Sequence, residues 1–324
     1  MAGTPVVVSS PNRSCQAVSF LSSTSSRQNR SRVAEQIGRY AVEEELGRGA
    51  TGVVYKALDL KLKRVIAIKV VNQEGPLGSV AWGWLLREAQ LAGALNHPCI
   101  CTVYDVGEED GFAYIAMELV DGYPLSLFLT PSGLPHSLVV DCGRLIAGGL
   151  EHAHQRGILH GDIKAANVMV NARGELKILD FGLARRLRTG AALKALQSSA
   201  GLGVVAGTVP YLAPEVLRGE RASVWSDIWS LGVLLYEMAT GRFPFQGHTV
   251  FDIAIAIMTS KLTLPANRIR PQLAHIIGRC LQKDPRRRYS RASDILRDLS
   301  GMGISNVAVC WRKYKVPPRV HPDA

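Results

Sequence analysis

The chain has 324 residues, 47% of them hydrophobic and 20% charged, which is enough to bury the core of one bilobal unit or of two small domains. Its formal net charge of +11 lies largely at the ends, with four arginines and no acid in residues 1–34 and four basic residues against one acid in residues 301–324. Because charge in terminal segments is more often solvated than part of a binding face, we expect no nucleic-acid partner.

Six cysteines show neither paired Cys-x-x-Cys units nor a Cys/His cluster with zinc spacing, which favours reduced, buried thiols. No apolar run reaches the roughly 18 to 20 residues needed to cross a bilayer, so we predict a cytoplasmic protein without a membrane span. Residues 1–38 form a basic, Ser/Arg-rich leader, for which we predict disorder; an organellar transit peptide is the alternative that its composition also fits. Residues 301–324 are predicted to be a basic C-terminal tail.

The first structured segment begins near Tyr40, where apolar residues start to alternate. Residues 46–54, Leu-Gly-Arg-Gly-Ala-Thr-Gly-Val-Val, predict a strand, a glycine turn and a returning strand. Glycines allow backbone amides to approach phosphate oxygens closely, although such a run alone also fits a simple hairpin. The next strand, Arg64–Val71, carries a single lysine, Lys69, and a buried lysine is costly unless it is paired.

Helical spacing of apolar residues follows in residues 79–95, which include Glu88. On composition alone Glu88 would be an ordinary exposed helix acid. Residues 100–106 and 112–119 are predicted to be strands that complete a small sheet, and Cys99-Ile100-Cys101 is expected to lie in the first of them.

A second group of elements carries the chemistry. Residues 138–146 predict a helix that ends near Gly157, and two short strands, 168–170 and 176–179, follow the loop His160-Gly161-Asp162-Ile163-Lys164-Ala165-Ala166-Asn167. A loop of this composition, with Asp180-Phe181-Gly182 beyond it, supplies what phosphoryl transfer needs: a carboxylate for the acceptor hydroxyl, a cation and oxygen ligands for Mg²⁺. We assign these roles to Asp162, Lys164, and the pair Asn167 and Asp180, respectively. Taken alone, the loop also fits a polar turn.

Three further segments complete the pattern. Residues 181–214 contain no acid and several basic residues, which predicts a mobile segment without a core of its own. Residues 227–236 are apolar nearly all round, which predicts a buried helix. Residues 284–288, Asp-Pro-Arg-Arg-Arg, supply a basic turn.

Together these motifs resemble the protein kinase family over about residues 39–300. The resemblance implies an α+β, two-lobed fold, with a small N-lobe antiparallel sheet plus one helix (about 39–120) and a larger, mainly helical C-lobe (about 121–300). It also implies transfer of the ATP γ-phosphate to a Ser or Thr hydroxyl of a protein substrate. Residues 181–214 would be the activation segment, and autophosphorylation is implied there or in the leader. The run around Asp180 is most similar to that of the bacterial eukaryotic-like Ser/Thr kinases.

The resemblance also assigns site residues. Lys69 would bind the ATP phosphates and pair with Glu88, and Thr208 would bridge Asp162 and Lys164, which favours Ser/Thr over Tyr as the acceptor. Asp227 would bond to the catalytic-loop backbone, and Arg288 would pair with Glu215. The residues implied to bind the nucleotide are Leu46, Gly47, Gly49, Gly52, Val54, Ala67, Lys69, Met117, Glu118 and Val120. Residues 117–122 would form the hinge, where backbone groups of Glu118 and Val120 would bond the adenine edge.

One departure from the family pattern keeps two alternatives open. The usual His-Arg-Asp is here His160-Gly161-Asp162, a form that also marks small-molecule phosphotransferases of the aminoglycoside and choline kinase kind. Those enzymes lack the Ala-Pro-Glu segment and the Asp-x-Trp-Ser-x-Gly helix. This chain has both, at residues 213–215 and 227–232. A pseudokinase scaffold is the second alternative, although no residue needed for catalysis is missing.

Overall fold

The structure is a computed structural model that describes residues 36–49, 52–71, 89–109, 112–171, 173–181, 207–303 and 311. Several features predicted from the sequence lie outside these residues. They are the leader through residue 35, the tip of the glycine turn at 50–51, Glu88, residues 182–206 of the activation segment, and all of the residues after 303 except Trp311.

The N-lobe contains a six-stranded antiparallel sheet with the strand order β1-β2-β3-β4-β6-β5. Its alternating sequence places one set of side chains on each face. Ile66 and Ile68 lie on one face in contact with the cluster around Tyr40, whereas Ala67 lies on the other face. The strands are β1 Gln36–Ile37, β2 Tyr40–Gly49, β3 Gly52–Asp59, β4 Arg64–Val71, β5 Val103–Glu109 and β6 Phe112–Met117.

The predicted strand at 100–106 is wrong in its first half. Backbone groups on either side of Ile100 bond to the C-lobe instead of to the N-lobe sheet: the Cys101 amide donates to the Ile178 carbonyl at 2.9 Å, and the Ile178 amide donates to the Cys99 carbonyl at 2.8 Å. Cys99, Ile100 and Cys101 are buried in this connection. A buried strand has the same apolar composition, so the sequence alone predicted a strand here. Of the preceding predicted helix, the described residues 89–93 are helical.

The C-lobe combines a three-stranded antiparallel sheet with helices. The sheet has the order β7-β8-β9, with β7 Gly122–Pro124, β8 Val168–Asn171 and β9 Leu176–Ile178. The helices are α1 His136–His154, α2 Pro214–Leu217, α3 Val224–Thr240, α4 Val250–Thr259, α5 Pro271–Cys280 and α6 Ala292–Ser300. Short 3₁₀ helices cover Leu125–Phe128, Ala165–Asn167, Val209–Tyr211 and Pro285–Arg287.

Helix α3 is the centre of the C-lobe, as the sequence predicted from its apolar composition. Fourteen of its seventeen residues are buried, so other elements surround it on all sides. A Cβ atom at Gly232 would lie 2.5 Å from the Cys280 Cβ, which is closer than real contacts allow. Glycine at this position therefore lets α5 pack directly against α3.

The C-lobe core extends past the predicted boundary at residue 300. Trp311, which the sequence analysis assigned to the tail, is only 5% exposed and belongs to the same hydrophobic cluster as α3. Cys99, Cys101, Cys142 and Cys280 are free and buried, as predicted for reduced thiols. Among the described residues, none of the helices combines the length and the hydropathy of a membrane-spanning segment.

Candidate active site

A buried ion pair joins the two lobes. Lys69, on the inner face of β4, is 5% exposed, and its Nζ lies 2.8 Å from Asp180 Oδ2. The sequence analysis expected Glu88 as the side-chain partner, and that residue lies outside the described part of the chain. Asp180 therefore supplies the acid that compensates the buried ammonium in this structure.

Asp180 is held in an unusual backbone conformation two residues after the end of β9. Its φ is +58°, a left-handed value that costs a non-glycine residue about 1–3 kcal/mol. The next residue, Phe181, is buried and packs edge-on against His160 with ring centroids 4.6 Å apart. The packing of Phe181 fixes the turn that directs the Asp180 carboxylate towards Lys69.

A group of apolar side chains packs together beside this ion pair. Its core is the cluster of Ala67, Ala89, Cys101, Ile115 and Met117, and partly buried residues that include Val54, Val120 and Leu179 pack against it. The cluster unites four residues that the sequence implied for the nucleotide: Val54, Ala67, Met117 and Val120. Leu46, a fifth, is 43% exposed on β2. An apolar surface of this kind suits an adenine ring.

The residues on either side of the glycine turn form two paired strands, as the sequence predicted. Gly49 and Gly52 are opposite each other in the β2–β3 ladder, and Gly47 is opposite Val54. The turn therefore lies at the end of the hairpin whose inner side carries Val54.

Glu118 connects the lobes through both its backbone and its side chain. Its amide donates to the Thr102 carbonyl at 2.8 Å, and its carboxylate accepts bonds from the Thr102 amide at 3.2 Å and the Lys177 ammonium at 2.9 Å. Its carbonyl oxygen receives only a weak bond from the Cys101 thiol at 3.6 Å. This carbonyl, one of the backbone groups expected at the adenine edge, is therefore still available to accept a stronger bond.

The catalytic loop places a cation between a carboxylate and a hydroxyl. Lys164 Nζ lies 2.9 Å from Asp162 Oδ2 and 2.9 Å from Thr208 Oγ1. Thr208 is buried and immediately precedes the 3₁₀ helix Val209–Tyr211. The structure thus brings Asp162, Lys164 and Thr208 together, as the resemblance implied.

The oxygen donors of the site fit a magnesium ion bound together with a nucleotide. The Asn167 Nδ2 donates to the Asp162 carbonyl at 2.8 Å, which leaves its amide oxygen as the atom available to a metal, and Asp180 adds a carboxylate. No cluster of three or more His, Cys, Asp or Glu residues that could hold a metal occurs among the described residues. Mg²⁺ in proteins typically uses one or two protein oxygens and completes its shell with phosphates and water.

A buried aspartate at the start of α3 fixes the loop backbone. Asp227 Oδ2 accepts the His160 amide at 2.9 Å and Oδ1 accepts the Gly161 amide at 2.8 Å, as the sequence analysis expected. Oδ2 is also 2.9 Å from His154 Nε2. Burial acts to raise the pKa of Asp227, but the hydrogen bond and charge of His154 and the bonds to the loop outweigh it and hold the pKa below its usual value.

His160 has a defined neutral form. Its Nε2 donates to the Leu179 carbonyl at 2.9 Å, and its Nδ1 accepts the Asp162 amide at 3.1 Å. Burial lowers its pKa, which is consistent with an imidazole that carries a single proton. His160 therefore ties the strand leading to Asp180 to the loop that carries Asp162.

Two further polar contacts hold this region together, and only the second of them was predicted from the sequence. The Tyr211 hydroxyl accepts the Ala165 amide at 3.3 Å and donates to the Glu237 carboxylate, which links the catalytic loop to α3. No sequence signal marked either residue, because the two are 26 positions apart and each fits an apolar helix. The second contact was expected: Arg288 donates two bonds to Glu215, at 2.7 and 2.8 Å, with both residues buried.

A strand-borne buried lysine, a carboxylate-bearing loop fixed to a central helix and an apolar cluster beside them form the arrangement expected of a two-lobed phosphotransferase. A family model described as the protein kinase domain matches residues 40–299. Since this match spans most of the sequence, the chain belongs to the protein kinase family.

Bacterial relatives are similar over most of this chain. It is 36% identical over 267 residues to the serine/threonine-protein kinase PrkC of Bacillus subtilis, with 81% of this chain and 40% of the relative covered. It is 36% identical over 270 residues to the serine/threonine-protein kinase PknB of Mycolicibacterium smegmatis, with 81% and 42% covered. A probable serine/threonine-protein kinase of Streptomyces coelicolor is 38% identical over 272 residues, with 81% and 39% covered. The chain thus spans about two fifths of the length of these relatives.

Proposed function

We propose that this protein is an ATP-dependent Ser/Thr protein kinase that transfers the γ-phosphate of ATP to a hydroxyl of a protein substrate. The observation that carries the proposal is the joint placement of two charge groups. Lys69 meets Asp180 at 2.8 Å, and Lys164 joins Asp162 to Thr208. The names of the relatives above support the same activity.

Each side chain then has a defined task. Asp162 orients the acceptor hydroxyl and takes its proton, while Lys164 offsets the charge on the transferred phosphoryl group. Lys69 binds the α- and β-phosphates, and Glu88 is proposed to hold Lys69 when nucleotide is bound. Asn167 and Asp180 hold Mg²⁺, which neutralises phosphate charge when bound. Thr208 fixes Lys164 through its hydroxyl.

The nucleotide is proposed to lie in the apolar slot between the glycine turn and the hinge. Val54, Ala67 and Met117 pack against the adenine, and the backbone of Glu118 and Val120 bonds its edge. Leu46 and the glycines Gly47, Gly49 and Gly52 cover the sugar and phosphates. We further propose a cytoplasmic location, a protein as the acceptor and autophosphorylation within the activation segment or the leader.

A protein acceptor is favoured over a small molecule by the elements that follow the activation segment. Helix α2, with Glu215 held by Arg288, and the buried helix α3 form a platform beside Thr208. An aminoglycoside or choline type of phosphotransferase lacks these elements. The intact set of charged residues also argues against a pseudokinase scaffold.

The test is a transfer assay with labelled ATP and Mg²⁺, given a generic protein, an aminoglycoside or choline, or no added acceptor. The parent should label protein Ser and Thr, and Asp162→Asn should reduce the rate by ~10²- to 10⁴-fold, the usual effect of losing a general base. Phosphate on the aminoglycoside or choline alone would favour the small-molecule alternative. No transfer to any acceptor, with nucleotide still bound, would favour the scaffold.

A further inference from the structure

Trp311, the one described residue after residue 303, belongs to the C-lobe core. Trp311 lies eleven residues after the end of α6 at Ser300 and twelve residues beyond the last residue of the family match. It is nevertheless 5% exposed. A tryptophan that merely ended a solvated tail would keep most of its large surface in water.

The contact that buries Trp311 is specific. Its ring packs edge-on against Phe128, with ring centroids 5.0 Å apart and an interplanar angle of 71°. This T-shaped geometry is a preferred arrangement of aromatic pairs. Phe128 is 6% exposed and ends the 3₁₀ helix Leu125–Phe128, which follows the hinge and β7.

That 3₁₀ helix also contacts the catalytic loop. It packs against the second 3₁₀ helix, Ala165–Asn167, and against β7 and β8. Trp311, Phe128, Leu125 and Ala165 all belong to one buried cluster. Ala165 directly follows Lys164, and Asn167 is a proposed metal ligand. The 3₁₀ helix that Trp311 contacts through Phe128 therefore also contacts a turn of the proposed active site.

We propose that Phe128 and its neighbours form an indole-binding site, that Trp311 fills this site in cis, and that the filled site positions the catalytic-loop turn Ala165–Asn167. Trp311 is thereby a positioning residue, and the C-terminal segment is part of the functional domain. Removing one side chain from a close-packed core affects its neighbours, because the packed side chains have few alternative arrangements. The effect on catalysis depends on the kinase activity proposed above, whereas the site and the order of the loop do not.

The experiment removes the indole and then returns it as a free molecule. Trp311→Ala should lower the melting temperature by about 10 °C, given the usual cost of emptying an aromatic core site. Free indole at millimolar concentration should bind the resulting apolar cavity and recover part of that loss, since empty apolar cavities accept small aromatic ligands. Trp225→Ala is the matched control, because Trp225 is 37% exposed in the same lobe; it should change little and show no response to indole.

The positioning claim has a readout that does not need activity. Amide hydrogen exchange in the peptide spanning residues 160–171 should rise in Trp311→Ala and fall again when indole is added. In the transfer assay the variant should lose at least fivefold in kcat with less than a twofold change in the KM for ATP, and indole should restore the rate. Trp311→Phe keeps an aromatic ring in the core and should disturb folding less. In all of these measurements its values should lie between those of the parent and those of the alanine variant.

Three results would overturn the inference. A melting temperature equal to that of the parent, or no response to indole, would show that the site is not built for Trp311. A lower melting temperature with unchanged exchange in residues 160–171 would show that Trp311 stabilises the lobe without positioning the loop. A parent that transfers no phosphate would refute the proposed function, and the melting and exchange measurements would still decide this inference.

Discussion

The proposed nucleotide site of the N-lobe and the loop of residues 160–167 in the C-lobe are built by different means. The pocket wall is apolar, with alternating residues of β3, β4 and β6 on its face and Lys69 as the buried charge among its described residues. The loop is fixed by buried polar groups: Asp227 accepts two loop amides, and Tyr211 and His160 bond further backbone atoms. An apolar wall suffices to bind a flat ring, whereas phosphoryl transfer requires atoms placed within tenths of an ångström.

The largest effect is expected where the two regions meet. Lys69→Met removes the cation that pairs with Asp180 and is proposed to bind the phosphates, so transfer should fall by at least ~10²-fold. The matched control is Lys56→Met, on β3 two residue pairs away from Lys69. The partners of Lys56 are surface acids, so this variant should keep nearly full activity. Initial rates with labelled ATP measure both. Normal phosphorylation by the Lys69 variant would mean that the nucleotide site lies elsewhere.

A large loss of stability is expected in the C-lobe framework. Arg288→Met leaves the buried Glu215 carboxylate without its two bonds, and breaking a buried pair from one side costs about 3–5 kcal/mol. The neighbouring exposed residue provides the control, because Arg287→Met should change the free energy of unfolding by less than about 0.5 kcal/mol. Urea unfolding followed by circular dichroism compares the two. Equal midpoints would show that the pair contributes no net stability.

The contact between Tyr211 and Glu237 predicts a dependence of stability on pH. Burial raises the pKa of Glu237 to about 7, although the bond from Tyr211 opposes the shift. Between pH 4.5 and 7 the folded state keeps a proton that the unfolded state has lost, so this contribution is complete at low pH and disappears as the pH rises through 7. This contribution of Glu237 protonation to the free energy of unfolding is on the order of 3 kcal/mol.

Glu237→Gln cannot ionise and should remove this term. The difference in unfolding free energy between the parent and the variant should therefore change across pH 4.5 to 7 in favour of the variant. Glu220→Gln, at an exposed glutamate, should follow the parent at every pH. Parallel profiles for the parent and Glu237→Gln would contradict the raised pKa.

The smallest effect is expected from activation-segment phosphorylation. Gly161 has a φ of +75°, which suits glycine, and it has no side chain to grip a phosphate as an arginine would. Replacing Thr189, Ser198 and Ser199 together by Ala, all outside the described residues, should leave most of the transfer rate intact. A drop of tenfold or more, about 1.4 kcal/mol of barrier, in both this variant and the phosphatase-treated parent would show that another group provides the grip.

The sequence predicted the parts of the molecule whose cause is local. Alternation and glycines located β2, β3 and β4, and residue type and spacing in residues 160–167 predicted that Asp162 and Lys164 lie close together. Ile100 was misassigned because a buried loop and a strand share the same apolar composition. The Lys69–Asp180 pair depends on how two lobes meet over a separation of 111 residues. The burial of Trp311 likewise depends on a tertiary contact with Phe128 that periodicity does not encode.

The central claim is that the N-lobe pocket binds the nucleotide while the Asp227 framework makes transfer possible. The most direct test measures the Kd for ATP and the kcat in two variants, Ala67→Leu, which fills the apolar slot, and Asp227→Asn, which weakens the bonds to the loop. We expect Ala67→Leu to weaken ATP binding by at least tenfold. We expect Asp227→Asn to lower kcat by at least tenfold while its Kd stays within about twofold of the parent. Either of two results for Asp227→Asn would contradict this claim: an unchanged kcat, or a loss of ATP affinity as large as that of Ala67→Leu. The Asp227 framework would then not act on transfer separately from ATP binding.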